Sequence, residues 1–204
     1  MEGSYEQEKG NKKFTGITTF PVPYAVGKFK ENIAITTNSP FDPSKEEKII
    51  KQAFKLHSQG NFQEAANYYQ DFLNQGFKDH RVFVNYGNIL KTLGKSKEAE
   101  LLTRKAIELK PDFAGAHFNL GNILTTLGKS KEAETSYLKA IELKPDFAEA
   151  WTNLASILKD LGQLEEAELS TRKAIELKPD YSMAHANLGA ILIELGILKE
   201  AELS

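Results

Sequence analysis

The sequence predicts an all-α protein, a right-handed superhelical solenoid of antiparallel helix pairs behind a flexible N-terminal arm. Three observations predict it. The motif Lys-Pro-Asp-Phe/Tyr returns at a fixed interval, with Pro111, Pro145 and Pro179 each 34 residues from the next. Gly60, Gly94, Gly128, Gly162 and Gly196 keep the same 34-residue beat. Between these marks the apolar residues fall at helical spacing. A fixed period of this length means one two-helix unit repeated, each unit burying the apolar face of its neighbour.

The arm is predicted over 1–43. It is rich in Lys, Thr, Asn, Gly and Pro, with Phe14, Phe20, Tyr24 and Phe29 scattered among them and no helical period. Pro21-Val22-Pro23 favours extended backbone. Ile33-Ala34-Ile35-Thr36-Thr37 has the composition of a short strand, which is marginal alone. The array is predicted over 44–204. It opens at Ser44-Lys45-Glu46-Glu47, a capping box ahead of Ile49 and Ile50. Its units run 46–79, 80–113, 114–147 and 148–181, with a partial unit 182–204.

The unit 114–147 shows the logic. A first helix is predicted over 114–126, with His117, Leu120, Gly121 and Leu124 on one stripe. Gly128 ends it, since glycine tolerates the left-handed conformation of a helix terminus. Ser130 is expected to cap the second helix, with Glu132 in its first turn, where the helix dipole favours a carboxylate. That helix carries Ala133, Tyr137, Ala140 and Ile141 on one face. Pro145 breaks it, and Asp146 is expected to cap the next unit. Gly121 and Ala133 belong where the two helices cross, and Ala140 where the next unit docks. The equivalent sets are Gly87/Ala99/Ala106, Ala155/Ala167/Ala174 and Gly189/Ala201. The first unit is worn: Phe72 replaces the second alanine, and Gly76-Phe77 replaces Lys-Pro. The last stops at Glu202-Leu203-Ser204, a few residues into its second helix. The expectation is a longer parent protein or an open end that docks onto something.

Trp151-x-x-Leu154-Ala155-x-x-Leu158, Gly162, Ala167, Ala174 and Pro179 resemble the tetratricopeptide repeat in spacing and residue type. Ala116-His117-Phe118-Asn119-Leu120-Gly121-Asn122 and Lys139-Ala140-Ile141-Glu142-Leu143-Lys144-Pro145 also resemble the N-terminal arrays of transferase-linked bacterial members. Phe14-Thr15-Gly16-Ile17-Thr18-Thr19-Phe20-Pro21-Val22-Pro23-Tyr24 is similar to leader segments of marine cyanobacterial ones. The resemblance implies a non-enzymatic scaffold that binds an extended or helical peptide of a protein partner in a concave groove. Its rival is the recruitment arm of a glycosyl- or sulfotransferase whose catalytic domain lies beyond residue 204.

The first helix of each unit has a second face, at positions 2, 5, 6, 9, 12 and 13, that is expected to line the groove. Asn85, Asn119, Asn153 and Asn187 repeat there, each 34 residues from the next, with Asn88 and Asn122 one turn further on. A primary amide offers two donors and an acceptor. Two roles fit such a row: gripping the backbone of an extended peptide, or tying adjacent helices together. Lys51, Arg81, Lys91 and Lys159 bring cations to the same face. Lys51, Asn85 and Asn119 resemble half of the clamp by which tetratricopeptide co-chaperones hold a C-terminal carboxylate. Gly115, Glu149 and Met183 stand where that clamp needs cations.

Composition narrows the function further. Hydrophobic residues make up 41% of the chain and charged residues 26%, so a sizeable core is available. A net charge of −2 gives no basic footprint for nucleic acid. An RNA-binding pentatricopeptide-like reading also conflicts with the 34-residue period and its proline marks. The absence of Cys removes disulfides, thiolate metal sites and thiol nucleophiles, and fits a reducing compartment. The start has no secretory pattern, and no apolar run reaches the ~18–20 residues that span a bilayer. The expected setting is therefore cytoplasmic, without membrane insertion. His57, His80, His117 and His185 make no metal-binding pair at i, i+4, and His117 and His185 are expected to pack in the slot of Phe83 and Trp151. No nucleophile–base set, cofactor motif or metal site is legible, and end-to-end self-association through the last unit is the remaining partner expectation.

Overall fold

The computed structural model describes residues 43–202, with side chains over 45–196. Among these are nine helices and no strand: α1 (Pro43–Ser58), α2 (Phe62–Asn74), α3 (His80–Thr92), α4 (Ser96–Leu109), α5 (Ala114–Thr126), α6 (Ser130–Leu143), α7 (Ala148–Asp160), α8 (Leu164–Leu177) and α9 (Ser182–Glu202). The expected arm, with its candidate strand at 33–37, lies outside the described residues except for Pro43, which opens α1. Pro suits that place, because the first helical N–H has no partner to lose.

Helices pair as α1 with α2, α3 with α4, α5 with α6 and α7 with α8, and each second helix then meets the first helix of the next pair. The turn inside each pair is built on glycine. At Gly128 φ is +71°. Lys129 N–H donates to Leu124 C=O at 2.9 Å, and Gly128 N–H to Thr125 C=O at 3.0 Å, which satisfies the last carbonyls of α5. The same two bonds recur at Gly60, Gly94 and Gly162.

The core is made of small residues at the crossings and branched ones between them. Ala65, Ala99, Ala133 and Ala167 are fully buried, as are Ala106, Ala140 and Ala174 one helical face further on. Around them Leu120, Leu124, Leu154, Ile157, Leu158 and Leu164 form one cluster continuous from the third pair into α9. Each such side chain contributes about 1.5–3 kcal/mol as an upper estimate. The outer face of α1 is different. Where later units bury Val82 and Ile89, or Ala116 and Ile123, the first presents Lys48 and Lys55, so this end is polar. Capping repeats do this where no neighbour follows.

Three local expectations are corrected. Ser130 is the first residue of α6 rather than its cap; the cap position is Lys129, with no side-chain bond. Asp146 does not cap α7, whose cap position is Phe147. Asp79 alone among the inter-unit aspartates caps, accepting from Arg81 N–H at 2.7 Å. Asp79 stands one residue later in its unit than Asp112 and Asp146 do in theirs, at the cap position that Phe113 and Phe147 hold.

The third correction concerns the last unit. Gly196 does not turn the chain; α9, 21 residues long, runs on through it. Glycine permits the turn without forcing it. In complete units the turn is held by a 14-residue second helix such as α8, which buries Leu164, Ala167, Thr171 and Ala174. Without that burial, continuation keeps the backbone hydrogen bonds of α9 unbroken. Leu192 is accordingly 44% exposed, whereas its equivalent Leu124 is 1% exposed.

Candidate functional site

The first helices of successive pairs touch one another, α3 with α5, α5 with α7 and α7 with α9, while the second helices have no comparable contacts among themselves. The first helices therefore line the inner, concave side. The asparagine row lies on them and is half-buried throughout. It is less exposed than its polarity suggests, and Asn153 and Asn187 reach toward the preceding unit.

What the amides meet there alternates. In the third pair Tyr137 is 2% exposed, and its hydroxyl donates to Asn122 Oδ1 at 2.8 Å and lies 3.2 Å from Thr125 Oγ1. Asn153 Nδ2 donates to the same Asn122 oxygen at 2.8 Å and also bonds the Tyr137 hydroxyl. In the first pair Tyr69 is fully buried; its hydroxyl meets His57 Nδ1 at 3.0 Å and bonds the Asn85 amide. The second and fourth pairs carry Thr103 and Thr171 at this position, and both turn their hydroxyls onto their own helix, at 2.8 Å to Ala99 C=O and 2.7 Å to Ala167 C=O. A threonine is too short to reach the next unit. So Asn122 and Asn153 are tied between units, and Asn85 meets Tyr69 of the preceding one. Asn187 has one long bond, 3.4 Å to Thr152 C=O. Asn88 and Asn119 have no side-chain partner among the described residues.

The cations divide the same way. Lys51 is paired with Glu47 at 2.6 Å and lines a depression with Lys48, Ile49, Gln52, Lys55 and Tyr68 on α1 and α2, so it does not join the amide set. Arg81 is spent on Asp79 at 2.7 Å and stacks over Phe54, 5.4 Å from its centroid. Lys159 lies 3.5 Å from Asp160. Lys91, half-buried near the end of α3, has no ion pair among the described residues. The convex pairs Glu100/Arg104 and Glu168/Arg172 form at 2.9 Å and 2.7 Å. Glu100 also binds Lys129, and Arg104 binds Glu132 of the next pair, so this face links units as well.

His117 and His185 do not pack as buried residues. Each ring Nε2 meets the carbonyl of a linker proline, Pro111 at 2.8 Å and Pro179 at 2.7 Å, as Trp151 Nε1–H does with Pro145 at 3.0 Å. In α5, α7 and α9 the slot carries a ring N–H that anchors the start of the helix, whereas Phe83 in α3 has none and is buried. Sequence reasoning also missed Tyr69, Tyr137, His57 and Thr125 as hydrogen-bonding centres. A signal was present. Tyr alternates with Thr at 69, 103, 137 and 171, and His or Thr alternates with Lys at 57, 91, 125 and 159, a 68-residue period inside the 34-residue one.

The buried groups set the pH response. Burial holds His57 below its ordinary value of 6.5 and pushes Tyr69 up to about 12. For Asp79 and Glu100 burial acts upward, but bonds from Arg81, and from Arg104 and Lys129, override it and leave both carboxyls low. The unfolded chain binds a proton at His57 before the folded one does, so stability is full above about pH 6.5 and falls as pH drops through that window. The carboxylates add a second loss below about pH 4, and Tyr69 a loss above about pH 10. The urea midpoint of the wild type is expected to fall between pH 7.5 and 5.5, and His57→Gln, neutral at both, to remove most of that fall; an equal fall in both would assign it elsewhere.

Among the described residues no group of three His, Asp or Glu is placed to hold a metal ion, and no helix is long and apolar enough to cross a membrane.

The family description "Cilia and flagella-associated protein 70 middle TPR-like domain" matches residues 51–155, and "Tetratricopeptide repeat" matches 148–181. No curated protein matches the chain in sequence. Solved structures do match in fold. MamA from Desulfovibrio magneticus RS-1 is 22% identical with a TM-score of 0.69, covering 78% of this chain and 89% of its own. YrrB, described as a TPR protein with an unusual peptide-binding site, is 25% identical with a TM-score of 0.64 over 71% of this chain and 75% of its own. The first TPR of Spaghetti (RPAP3), solved bound to the HSP90 peptide SRMEEVD, is 25% identical with a TM-score of 0.56 over 57% and 93%.

Proposed function

The chain belongs to the tetratricopeptide-repeat family, through the TPR-like domain that matches over half of it, and from that premise we propose that it is a non-catalytic scaffold binding an extended or helical peptide of a protein partner in its concave groove. The observation that carries this is the row of half-buried amides along the inner helices, of which Asn88 and Asn119 have no side-chain partner among the described residues. Amides left donor- and acceptor-competent beside half-buried Phe118 suit gripping of a peptide backbone, whereas the neighbours Val84 and Thr152 are buried. The peptide-binding descriptions of YrrB and of the Spaghetti domain support the same use of the fold. A cytoplasmic setting accords with the absence of Cys.

The test is a random dodecapeptide library displayed on phage and selected on the whole chain, followed by calorimetry with the peptides recovered. Changing Asn119 and Asn153 together to Ala is expected to weaken such a peptide about tenfold, at ~0.5–1.5 kcal/mol per lost hydrogen bond. Glu168→Ala on the convex face is expected to leave binding unchanged. Peptides that bind the double variant normally, or none at all, would sink the reading.

End-to-end self-association is proposed for the other end. The face of α9 around Gly189 and exposed Leu192, which complete units cover, supports it. Sedimentation of the wild type is expected to show a dimer that Leu192→Glu abolishes.

A further inference from the structure

We propose that the convex junction of the third and fourth helix pairs, between α6 and α8, docks an arginine-bearing segment of a partner protein. The partner's guanidinium takes the place between Glu134 and Glu166 that this chain's own cations fill one junction earlier. The site lies on the second helices, apart from the concave groove, and does not depend on it.

The placement follows from repeat equivalence. Between α4 and α6, Arg104 Nη2 donates to Glu100 Oε1 and to Glu132 Oε2, each at 2.9 Å, so one guanidinium bridges carboxylates of neighbouring pairs. Lys129 Nζ, from the turn before α6, donates to both oxygens of Glu100 at 3.0 Å. The same four positions between α6 and α8 are Glu134, Leu138, Gln163 and Glu166. The backbone frame repeats, since α4, α6 and α8 are each 14 residues long and the turns at Gly128 and Gly162 carry the same bonds. Both carboxylates are therefore kept and both cations are lost. Neither Glu134 nor Glu166 forms an ion pair among the described residues. What remains is an open depression of about 560 Å³, lined by Lys131, Glu134, Thr135, Leu161 and Gln163, at the place that the Lys129 side chain occupies one junction earlier. The α2–α4 junction has Ala66 and Gln70 in place of Glu100 and Arg104, so it offers no such acid pair.

Two carboxylates on neighbouring helices attract a cation, and their surroundings select which one. A guanidinium is planar and presents a fork of N–H donors, enough to span both acids as Arg104 does, whereas an ammonium is a point charge. Gln163 adds a side-chain carbonyl that accepts at the rim. Half-buried Leu161 lines the depression, and Leu138, 47% exposed, stands where Arg104 stands one junction earlier. A bare metal ion makes no use of these leucines, but the aliphatic stem of an arginine covers them. Lys131 is the one cation in the lining. It forms no ion pair among the described residues, nor does Lys97 in the same place one junction earlier, so the acids are left for a cation from outside. A charged pair completed in this way fixes the register of a partner along the outer helices.

The probe is a random dodecapeptide library displayed on phage, selected on the whole chain and depleted on the variant Glu134→Gln with Glu166→Gln, which keeps the shape and removes the charge. The peptides recovered are resynthesised with acetylated and amidated ends and measured by calorimetry. They are expected to share an arginine. Its change to Gln is expected to weaken binding to the wild type at least fivefold and to have little further effect on the Gln-pair variant. Leu138→Arg with Gln163→Lys, which restores the internal cations, is expected to abolish binding while melting no lower than the wild type. Should it melt lower, the Gln-pair variant alone decides. Asn119→Ala with Asn153→Ala is expected to leave these peptides unaffected, which separates the site from the groove. Peptides that bind equally well without their arginine would overturn the proposal, and so would recovery of none that the acid pair discriminates.

Discussion

Tyr137→Ala is expected to destabilise the array by about 3–5 kcal/mol, the range for truncating a fully buried aromatic side chain. The ring occupies the crossing of α5 and α6 and packs against Phe118, with centroids 6.1 Å apart. Its hydroxyl joins α5 to α7 through Asn122 and Asn153. The substitution therefore removes packing within one pair and a tie between two. Tyr137→Phe keeps the ring and is expected to cost only about 1–2 kcal/mol, for the lost hydroxyl bonds. Guanidinium unfolding measures both, with amide exchange locating the weakened interface between α5 and α7. In a nearest-neighbour stack a broken central interface lets the two halves open separately, so the alanine variant is expected to lose cooperativity as well as stability. A loss below about 1 kcal/mol for alanine would mean that Tyr137 merely fills space the helices can close.

The repeat was legible because its marks are conformational. Glycine at a left-handed turn and proline after a second helix state their roles locally, and alanine at a crossing is a steric requirement readable from spacing alone. The face carrying the asparagines was also legible, since position within a helix fixes direction. The state of each amide was not. Asn85, Asn119 and Asn153 look identical in sequence, and what separates them is a residue on the preceding unit, Tyr69, Thr103 or Tyr137, 16 positions upstream in each case. Reading that requires knowing that the second helix of one unit faces the inner helix of the next. Gly196 failed for a related reason. It carries the same local signal as Gly162, but the turn depends on burial by a second helix, which no local signal encodes. The two caps failed because Ser130 and Asp146 each fell one residue from the position that geometry required.

Gly121→Val and Gly189→Ala are expected to shift stability in opposite directions, although the two glycines hold the same place in their units. At Gly121 a Cβ would lie 2.5 Å from Tyr137 Cε1 and 2.7 Å from its Cδ1, well inside van der Waals contact. The ring cannot swing aside without losing its bonds to Asn122 and Asn153, so α5 and α6 must separate. Overpacking of this kind costs about 1–3 kcal/mol, against which valine recovers only a few tenths from its better helix propensity. The first pair shows that a methyl can coexist with tyrosine, as Ala53 faces Tyr69 with both fully buried. That pair has no preceding unit among the described residues, so its helices are set by one neighbour rather than two. At Gly189 a Cβ would meet nothing within 4 Å, and no second helix covers that face of α9 among the described residues. Alanine there only stiffens the unfolded chain and favours the helix, a gain of about 0.4–1 kcal/mol. Melting temperatures are expected to drop by several degrees for Gly121→Val and rise slightly for Gly189→Ala, at ~2–4 °C per kcal/mol for an array of this size. A further arm tests the cause: Tyr137→Thr added to Gly121→Val removes the ring that the new side chain strikes. The double variant is then expected to be less destabilised than the sum of its parts, whereas simple additivity would show that the two residues do not meet.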